Sequence, residues 1–158
     1  MFYHKPGNFV IKGHGAENKQ AKKNLVKKRR SHGIIVYSNG TPVGWTQYGP
    51  RLELARLDAS PTYQSLELDN DGKRLWRITC FFVDRNYRKK GVARFGLNAV
   101  LESIKKKGGG IVEAYPSTKP SQGASMMWPG TAKMFENAGF KVASKFGKSH
   151  VVMRRTIR

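Results

Sequence analysis

Blocks of apolar and polar positions alternate along the chain and predict a mixed α/β fold. Residues 75–83 read LWRITCFFV, and both faces of this run turn apolar after Thr79, as expected of a central strand covered on both sides. Over residues 92–107 the apolar positions fall on one helical face, which predicts an amphipathic helix. Three glycines end it, and a short strand is predicted at 111–115. Because a helix joins the two strands, they should run parallel.

The N-terminal half predicts a basic helix followed by a hairpin. Residues 16–31 favour helix, with a thin apolar stripe of Ala21, Leu25 and Val26. Two β-prone segments, 34–38 and 43–48, flank Asn39-Gly40, the dipeptide that favours a type I′ turn. Residues 49–74 are less regular, and two interpretations stay open: a segment that borders a substrate site, or a surface excursion with a short helix at 51–58.

The C-terminal part predicts one more helix and a closing hairpin. A polar loop spans 117–128, and a helix is expected from about Pro129, a good first-turn residue, to Ala138. Two β-prone runs, 140–146 and 149–155, flank Gly147-Lys148 and should pair with each other.

Length and composition indicate one domain, residues 1–158. A chain of 158 residues that is 39% hydrophobic can fill one core. It contains neither an apolar stretch near 18 residues nor a secretory leader pattern, so we expect a cytoplasmic protein without membrane contact. The single cysteine, Cys80, excludes an internal disulfide, and the four histidines lack the spacing of metal ligands, so no metal is expected.

Charge is strongly unbalanced. Lys and Arg number 30 against 10 Asp and Glu, a formal net charge of +20. Such a surface attracts polyanions in a salt-dependent way. The excess is compatible with a nucleic-acid or ribosomal partner, or with a host whose proteins are generally basic.

A candidate anion site follows the central strand. Arg88, Lys89 and Lys90 precede Gly91, whose missing side chain allows a ligand to approach the backbone. The predicted helix starts directly afterwards, so free N–H groups of its first turn should lie beside these cations. A phosphate-bearing ligand would suit this arrangement.

The spacing Arg88-x-x-Gly91-x-Ala93 resembles the R/Q-x-x-G-x-G/A signature of the GNAT acetyltransferase superfamily. The strand before it, the helix after it, and the later runs IVEAYP and MFENAGF extend the resemblance over about residues 17–157. It implies a GNAT fold: an α/β domain with a mixed central β-sheet and helices on both faces. The usual N-terminal strand and helix would be missing or shortened here, unless residues 9–12 supply the strand.

The resemblance implies an N-acetyltransferase that passes the acetyl group of acetyl-CoA to a primary amine of a small molecule or protein, by direct attack in a ternary complex. The pantetheine arm would lie against the backbone of Phe81, Phe82 and Val83. The diphosphate would lie over the turn, and Trp128 would contact the cofactor in place of the usual Asn. The residues implied at the diphosphate are Arg88, Lys89, Lys90, Gly91, Val92 and Ala93. The family's general-acid Tyr corresponds to Phe135, which leaves a basic nucleic-acid- or ribosome-binding protein with a vestigial CoA site as the alternative.

Few side chains qualify for acid or base chemistry. Glu113 is the best candidate base, because it lies in the strand after the signature helix and its alternation could direct it to the cleft; an edge carboxylate paired with a lysine is the alternative. Tyr115 and Tyr48 are candidate acids, although a strand tyrosine is usually half-buried packing. The further groups weighed are Asp84, which we expect to cap the turn, Glu136, and Cys80, which we expect to be structural.

Overall fold

The computed structural model describes residues 15–118 and 128–158. The postulated strand at 9–12 and most of the 117–128 loop lie outside the described residues. In chain order, the elements are helix α1 Gly15–Lys27, strands β1 His32–Ser38 and β2 Thr41–Pro50, a 3₁₀ segment Arg51–Ala59, helix α2 Pro61–Gln64, strand β3 Leu75–Val83, a 3₁₀ turn Arg85–Tyr87, helix α3 Val92–Lys106, strand β4 Gly110–Ala114, helix α4 Ala132–Asn137, and strands β5 Lys141–Phe146 and β6 His150–Ile157.

The strands form one six-stranded sheet in the order β1-β2-β3-β4-β6-β5. β3 and β4 pair in parallel, as the intervening helix predicted, and the other neighbouring pairs are antiparallel. The β1–β2 hairpin turns at Asn39 and Gly40, whose φ angles of 48° and 77° are both positive. The predicted mixed sheet and its Asn-Gly turn are therefore confirmed.

Helices cover both faces of the sheet. On one, the α3 face, the apolar side of α3 and Phe135 of α4 share the main core with Trp76 and Ile78 of β3. On the other, the α1 face, the 51–64 segment covers the sheet, and α1 places Lys22 above Trp45 of β2. The predicted arrangement of helices on both faces is confirmed.

Two helix boundaries and the packing of one segment differ from expectation, and strand ends differ by up to two residues. Helix α4 begins at Ala132, because Thr131 caps it by accepting the N–H of Met134 at 3.1 Å, and Pro129 lies outside it. Helix α1 ends at Lys27, and Val26 is 54% exposed, so Val26 does not belong to the inward stripe. Residues 51–64 are more than a surface excursion, since they bury Leu54 and Tyr63 against the sheet.

Candidate functional site

The turn before α3 is an open cradle of backbone N–H groups. Lys89 and Gly91 both have positive φ, 60° and 81°, and residues 88–91 are exposed. The first bond within α3 runs from the N–H of Phe95 to the carbonyl of Gly91 at 2.9 Å. The N–H groups of residues 92–94 therefore project from the helix end without an intrahelical partner. Together with the helix dipole, they favour an anion at this position.

Cationic side chains surround this cradle but are held loosely. The Nε of Arg88 donates to the carbonyl of Val83 at 3.3 Å, and the Nζ of Lys90 lies 5.4 Å from the centre of the Tyr87 ring. Both are exposed, so ordering them around a ligand costs rotamer entropy. We therefore expect the fixed backbone groups to hold a phosphate more effectively than the side chains of Lys89 or Lys90.

A wedge opens between β3 and β4 beside this turn. Their ladder joins 75–78 to 111–114 and ends at Ile78 and Ala114, whereas β3 stays paired with β2 as far as Val83. At the apex, Thr79 is an extra residue with no partner in β2, which makes it a β-bulge. Its hydroxyl is buried and has no hydrogen-bond partner among the described residues. The bulge bends β3 where β4 diverges.

Backbone alternation decides which groups of β3 face the wedge. The N–H of Phe81 points into it and donates to the carbonyl of Trp128 at 2.7 Å, whereas the N–H of Asp84 points the other way, to Val43 of β2. By the same alternation the backbone of Phe82 faces β2, and its side chain is 59% exposed. Val83 therefore offers wedge-side backbone groups, and the implied backbone contact of Phe82 does not fit this arrangement.

The start of α4 covers the wedge on the α3 face. Phe135 is fully buried, and its ring centre lies 6.0 Å from that of Phe81 and 5.2 Å from that of Phe140. Phe135, which the resemblance places at the position of a general-acid Tyr, thus lies beside the wedge but carries no hydroxyl.

Glu113 is bound in a buried network and does not face the wedge as a free base. One carboxylate oxygen accepts the hydroxyls of Tyr63 and Tyr115, each at 2.6 Å. The other accepts from Nε and Nη2 of Arg154 at 2.8 and 2.5 Å. The side chain has no exposed surface. The geometry argues against the predicted role as a base and for an ion-paired carboxylate, with arginine rather than lysine as the partner.

Arg77 forms the other half of this network. It is fully buried and donates to both carboxylate oxygens of Asp58 at 2.8 Å, and to the carbonyl of Leu54 at 2.9 Å. Burial disfavours its charge, but the hydrogen bonds to Asp58 and the nearby tyrosines outweigh burial and raise the pKa of Arg77. Burial likewise acts to raise the pKa of Asp58, yet the Arg77 guanidinium lowers it below its usual value. The network fastens the 51–64 segment to the sheet.

The two candidate acids are also engaged elsewhere. Burial raises the pKa of Tyr115 well above its ordinary value, which makes it a poorer proton donor, and its hydroxyl already donates to the carboxylate of Glu113. The hydroxyl of Tyr48 lies 2.7 Å from Oγ of Ser103 beneath α3. Neither arrangement directs a hydroxyl into the wedge.

The other groups weighed from the sequence take mainly structural positions. Asp84 caps the 3₁₀ turn by accepting the N–H of Asn86 at 2.9 Å, as predicted. Glu136 is half-exposed and lies 3.8 Å from Lys133. Cys80 is partly buried on the α1 face, and burial raises the pKa of its thiol.

Sequence reasoning missed Lys22 and Arg77. Lys22 shares the inward stripe of α1 with Asn18, Ala21 and Leu25, a spacing of i, i+3, i+4 and i+7 that was present in the sequence. Arg77 was visible as a charge within a run of apolar strand residues, a position that requires a buried acidic partner.

Close packing of α3 on β2 fixes the turn in space. A Cβ on Gly44 would lie 2.5 Å from Cγ1 of Val92, the first residue of α3. We expect Gly44→Ala to push this turn outward, to lower the free energy of unfolding by about 1–3 kcal/mol, and to weaken the binding of a phosphate-bearing ligand at the turn, which the resemblance implies to be acetyl-CoA. Thermal denaturation and calorimetry test this. Gly15→Ala, where a Cβ meets nothing within 4 Å, is the control and should change neither quantity; equal behaviour of the two variants contradicts the expectation.

The chain was compared with known proteins. A family model described as "Acetyltransferase (GNAT) family" matches residues 4–126. No curated protein matches the chain. Solved structures with a similar fold include an N-acetyltransferase from Staphylococcus aureus Mu50, which is 18% identical, with 100% of this chain and 82% of that chain covered and a TM-score of 0.60.

Two further solved structures have a similar fold. A ribosomal-protein-alanine N-acetyltransferase from Brucella melitensis is 16% identical, with coverage of 90% and 78% and a TM-score of 0.56. The PaiA N-acetyltransferase from Thermoplasma acidophilum, solved in complex with coenzyme A, is 13% identical, with coverage of 92% and 73% and a TM-score of 0.59. At these identities the structures establish the fold, and the family model, which spans most of the sequence, establishes that this chain belongs to the GNAT acetyltransferase family.

Proposed function

We propose that this protein is an N-acetyltransferase that moves the acetyl group of acetyl-CoA onto a primary amine by direct attack in a ternary complex. The observation that carries the proposal is the position of the exposed turn at residues 88–91, at the open end of the β3–β4 wedge. A single acetyl-CoA molecule could then place its diphosphate on the turn and its extended pantetheine arm in the wedge.

The residues present fit acetyl-CoA. The diphosphate would be held by the N–H groups of residues 92–94, with Gly91 giving access and Arg88 adding charge. The arm would pair with the backbone of Val83 and pass Trp128, whose carbonyl already occupies the N–H of Phe81. When bound, acetyl-CoA supplies an activated thioester carbonyl. The family membership and the coenzyme A complex of a structural neighbour support this choice of donor.

We propose that water carries the protons of the reaction. An attacking amine must be neutral, and the departing thiolate must gain a proton. Glu113 and Tyr115 are committed to the buried network, and Phe135 has no hydroxyl. The candidate base and acid of the described part of the chain are thus engaged elsewhere, which supports solvent at the mouth of the wedge as the carrier.

The basic surface supports a polyanion-associated acceptor as the alternative within the same fold. Ion pairs remove one acid and one base together, so those of this protein leave the formal net charge of +20 unchanged, and it is carried by basic residues outside such pairs. The paired acids include Glu53, Asp58, Asp71, Glu113 and Glu136. A protein that binds RNA tightly and acetyl-CoA not at all would match a vestigial site instead.

Titration calorimetry with acetyl-CoA at moderate salt tests the proposal. We expect micromolar binding by the wild type. In Gly91→Glu we expect a loss of about 30-fold or more, because a carboxylate would lie among the phosphates and the left-handed φ would be strained. Lys89→Ala should weaken binding by less than about fivefold, since the backbone supplies the fixed donors.

Gly40→Glu is the matched control. Gly40 also has a positive φ, 77°, and open space around its Cα, but it lies at the tip of the β1–β2 hairpin. The two variants thus share their charge change and backbone strain. Equal affinity in both, or no binding by the wild type together with salt-sensitive RNA binding, would reject the proposed donor site.

A further inference from the structure

A row of large apolar side chains crosses three strands on the α1 face. Ile35 of β1 is the direct partner of Trp45 of β2, and Trp45 is the direct partner of Phe82 of β3. Direct partners point to the same side of a sheet, and Lys22 of α1 lies above the Trp45 ring, so all three side chains lie on the α1 face. Tyr37 follows Ile35 by two residues on the same strand and therefore points to the same side. Together these four side chains, from Ile35, Tyr37, Trp45 and Phe82, form the apolar row.

The apolar row is open to solvent. Ile35 is 52% exposed, and Tyr37 and Phe82 are each 59% exposed. They are three of the seven large apolar side chains that the described part of the chain leaves exposed, and they lie together. Single exposed apolar side chains are normal on a protein surface, whereas a connected group of them indicates a binding surface.

The part of the chain that carries and borders the apolar row is basic. Residues 15–50 contain seven Lys and Arg and one acidic residue, and neither β1 nor β2 has an acidic side chain. Lys19 and Lys23 of α1 are exposed and lie within one turn of the helix position that contacts the row. Arg85 is also exposed and follows Phe82 by three residues. The ligand that complements this surface is therefore an anion that carries flat apolar groups.

Shape favours an extended chain over a flat partner. Helix α1 lies on the same face as the apolar row, and a helix with its side chains is about 10 Å across. A bilayer or the flat side of a folded protein would meet the helix before it met the row, whereas an extended polymer can lie beside the helix. Single-stranded nucleic acid has the required chemistry, because its phosphates complement the cations and its bases stack on aromatic side chains.

We propose that the apolar row and the exposed lysines of α1 bind single-stranded nucleic acid. Bases stack on Phe82 and Tyr37, and phosphates lie beside Lys19 and Lys23. The inference goes beyond the proposed function, because it requires no acetyl-CoA and would hold for a chain that binds none.

The test is the fluorescence anisotropy of a labelled oligothymidylate of about 12 nucleotides, titrated with the full chain at low and at moderate salt. We expect Phe82→Ala and Tyr37→Ala each to weaken binding by about fivefold or more, since each removes a stacking surface. Lys19→Gln combined with Lys23→Gln should also weaken binding and make it less sensitive to salt. Phe95→Ala is the matched control, because Phe95 is 65% exposed but lies on α3, and it should change the affinity by less than about twofold.

An abasic oligomer of the same length separates stacking from charge, because it keeps the phosphates and lacks the bases. Tighter binding of the oligothymidylate than of the abasic oligomer, with the difference reduced in Phe82→Ala, supports the inference. Equal binding of the two, or no effect of Phe82→Ala, overturns it. Tighter binding of a polyglutamate peptide or of vesicles rich in phosphatidylserine also overturns it, since the row would then serve an acidic protein or a membrane. Thermal denaturation verifies that the variants fold, as expected for side chains that are more than half exposed.

Discussion

Glu113→Gln is expected to lower the free energy of unfolding by about 3–5 kcal/mol, measured by urea denaturation at pH 7. The substitution keeps the shape of the side chain but removes the charge that neutralises Arg154 and lies 3.9 Å from Nε of Arg77. The side chain of Glu113 is fully buried, so water cannot replace the lost interaction. Breaking a buried pair leaves an uncompensated charge, which is among the largest effects of a single substitution.

Glu136→Gln is the control for this prediction. Glu136 is also paired with a cation, but its side chain is half-exposed and that of Lys133 is 79% exposed, so we expect a change below about 0.5 kcal/mol. A loss under about 1 kcal/mol in Glu113→Gln would contradict the buried network. Once an acceptor is known, a pH–rate profile for Glu113→Gln whose limb has moved would restore Glu113 as a base; we expect the profile to keep its shape.

Gly110→Ala should destabilise the protein by roughly 4 kcal/mol or more. Gly110 has a φ of 130°, and an added Cβ would lie 2.3 Å from the carbonyl oxygen of Arg74. That oxygen accepts the N–H of Ile111 at 2.8 Å, where β4 begins to pair with β3, so the obstacle is backbone that cannot turn aside. Relief of the clash would disrupt the parallel ladder. Thermal and urea denaturation measure the loss.

Gly108→Ala isolates this clash from backbone strain. It lies in the same run of three glycines with a φ of 91°, but a Cβ there meets nothing within 4 Å. We expect a loss of about 1–2 kcal/mol from the left-handed conformation alone. If Gly110→Ala lowers the free energy of unfolding by no more than Gly108→Ala does, the close approach to the Arg74 carbonyl does not contribute to the effect of the substitution.

The main elements of the fold were predictable because local signals and burial agree there. Asn39-Gly40 fixed a turn that no tertiary contact needs to enforce, and the apolar period of α3 matches the face it buries. Helix α4 started later than expected because the cap at Thr131 outweighs the preference of Pro129 for a first turn. Residues 51–64 were ambiguous because the sheet residues that hold them, among them His32, Arg77 and Glu113, are distant in sequence.

The backbone part of the candidate site could be predicted from the sequence, whereas the roles of its side chains could not. The exposed turn at Gly91 was predictable, since glycine and a helix start determine where N–H groups project. The roles of Glu113 and Tyr115 were not predictable. The alternation of strand residues shows which face of the sheet a side chain lies on, but not which other residues it meets there, in this case Tyr63 and Arg154. Lys22 escaped notice because in the sequence it is one cation of a basic run.

The short seam between β3 and β4 divides the sheet into two three-stranded lobes. Four register pairs, 75–78 with 111–114, hold the lobes together through backbone bonds, and beyond them no strand within residues 15–118 and 128–158 pairs with that side of β3. A molecule with its own amide groups, lodged in the opening, would bridge the lobes as a strand does. The resistance of the folded protein to heat and to proteolysis would then rise with the concentration of that molecule. The lifetime of the folded chain would therefore depend on how much of the protein has the molecule bound.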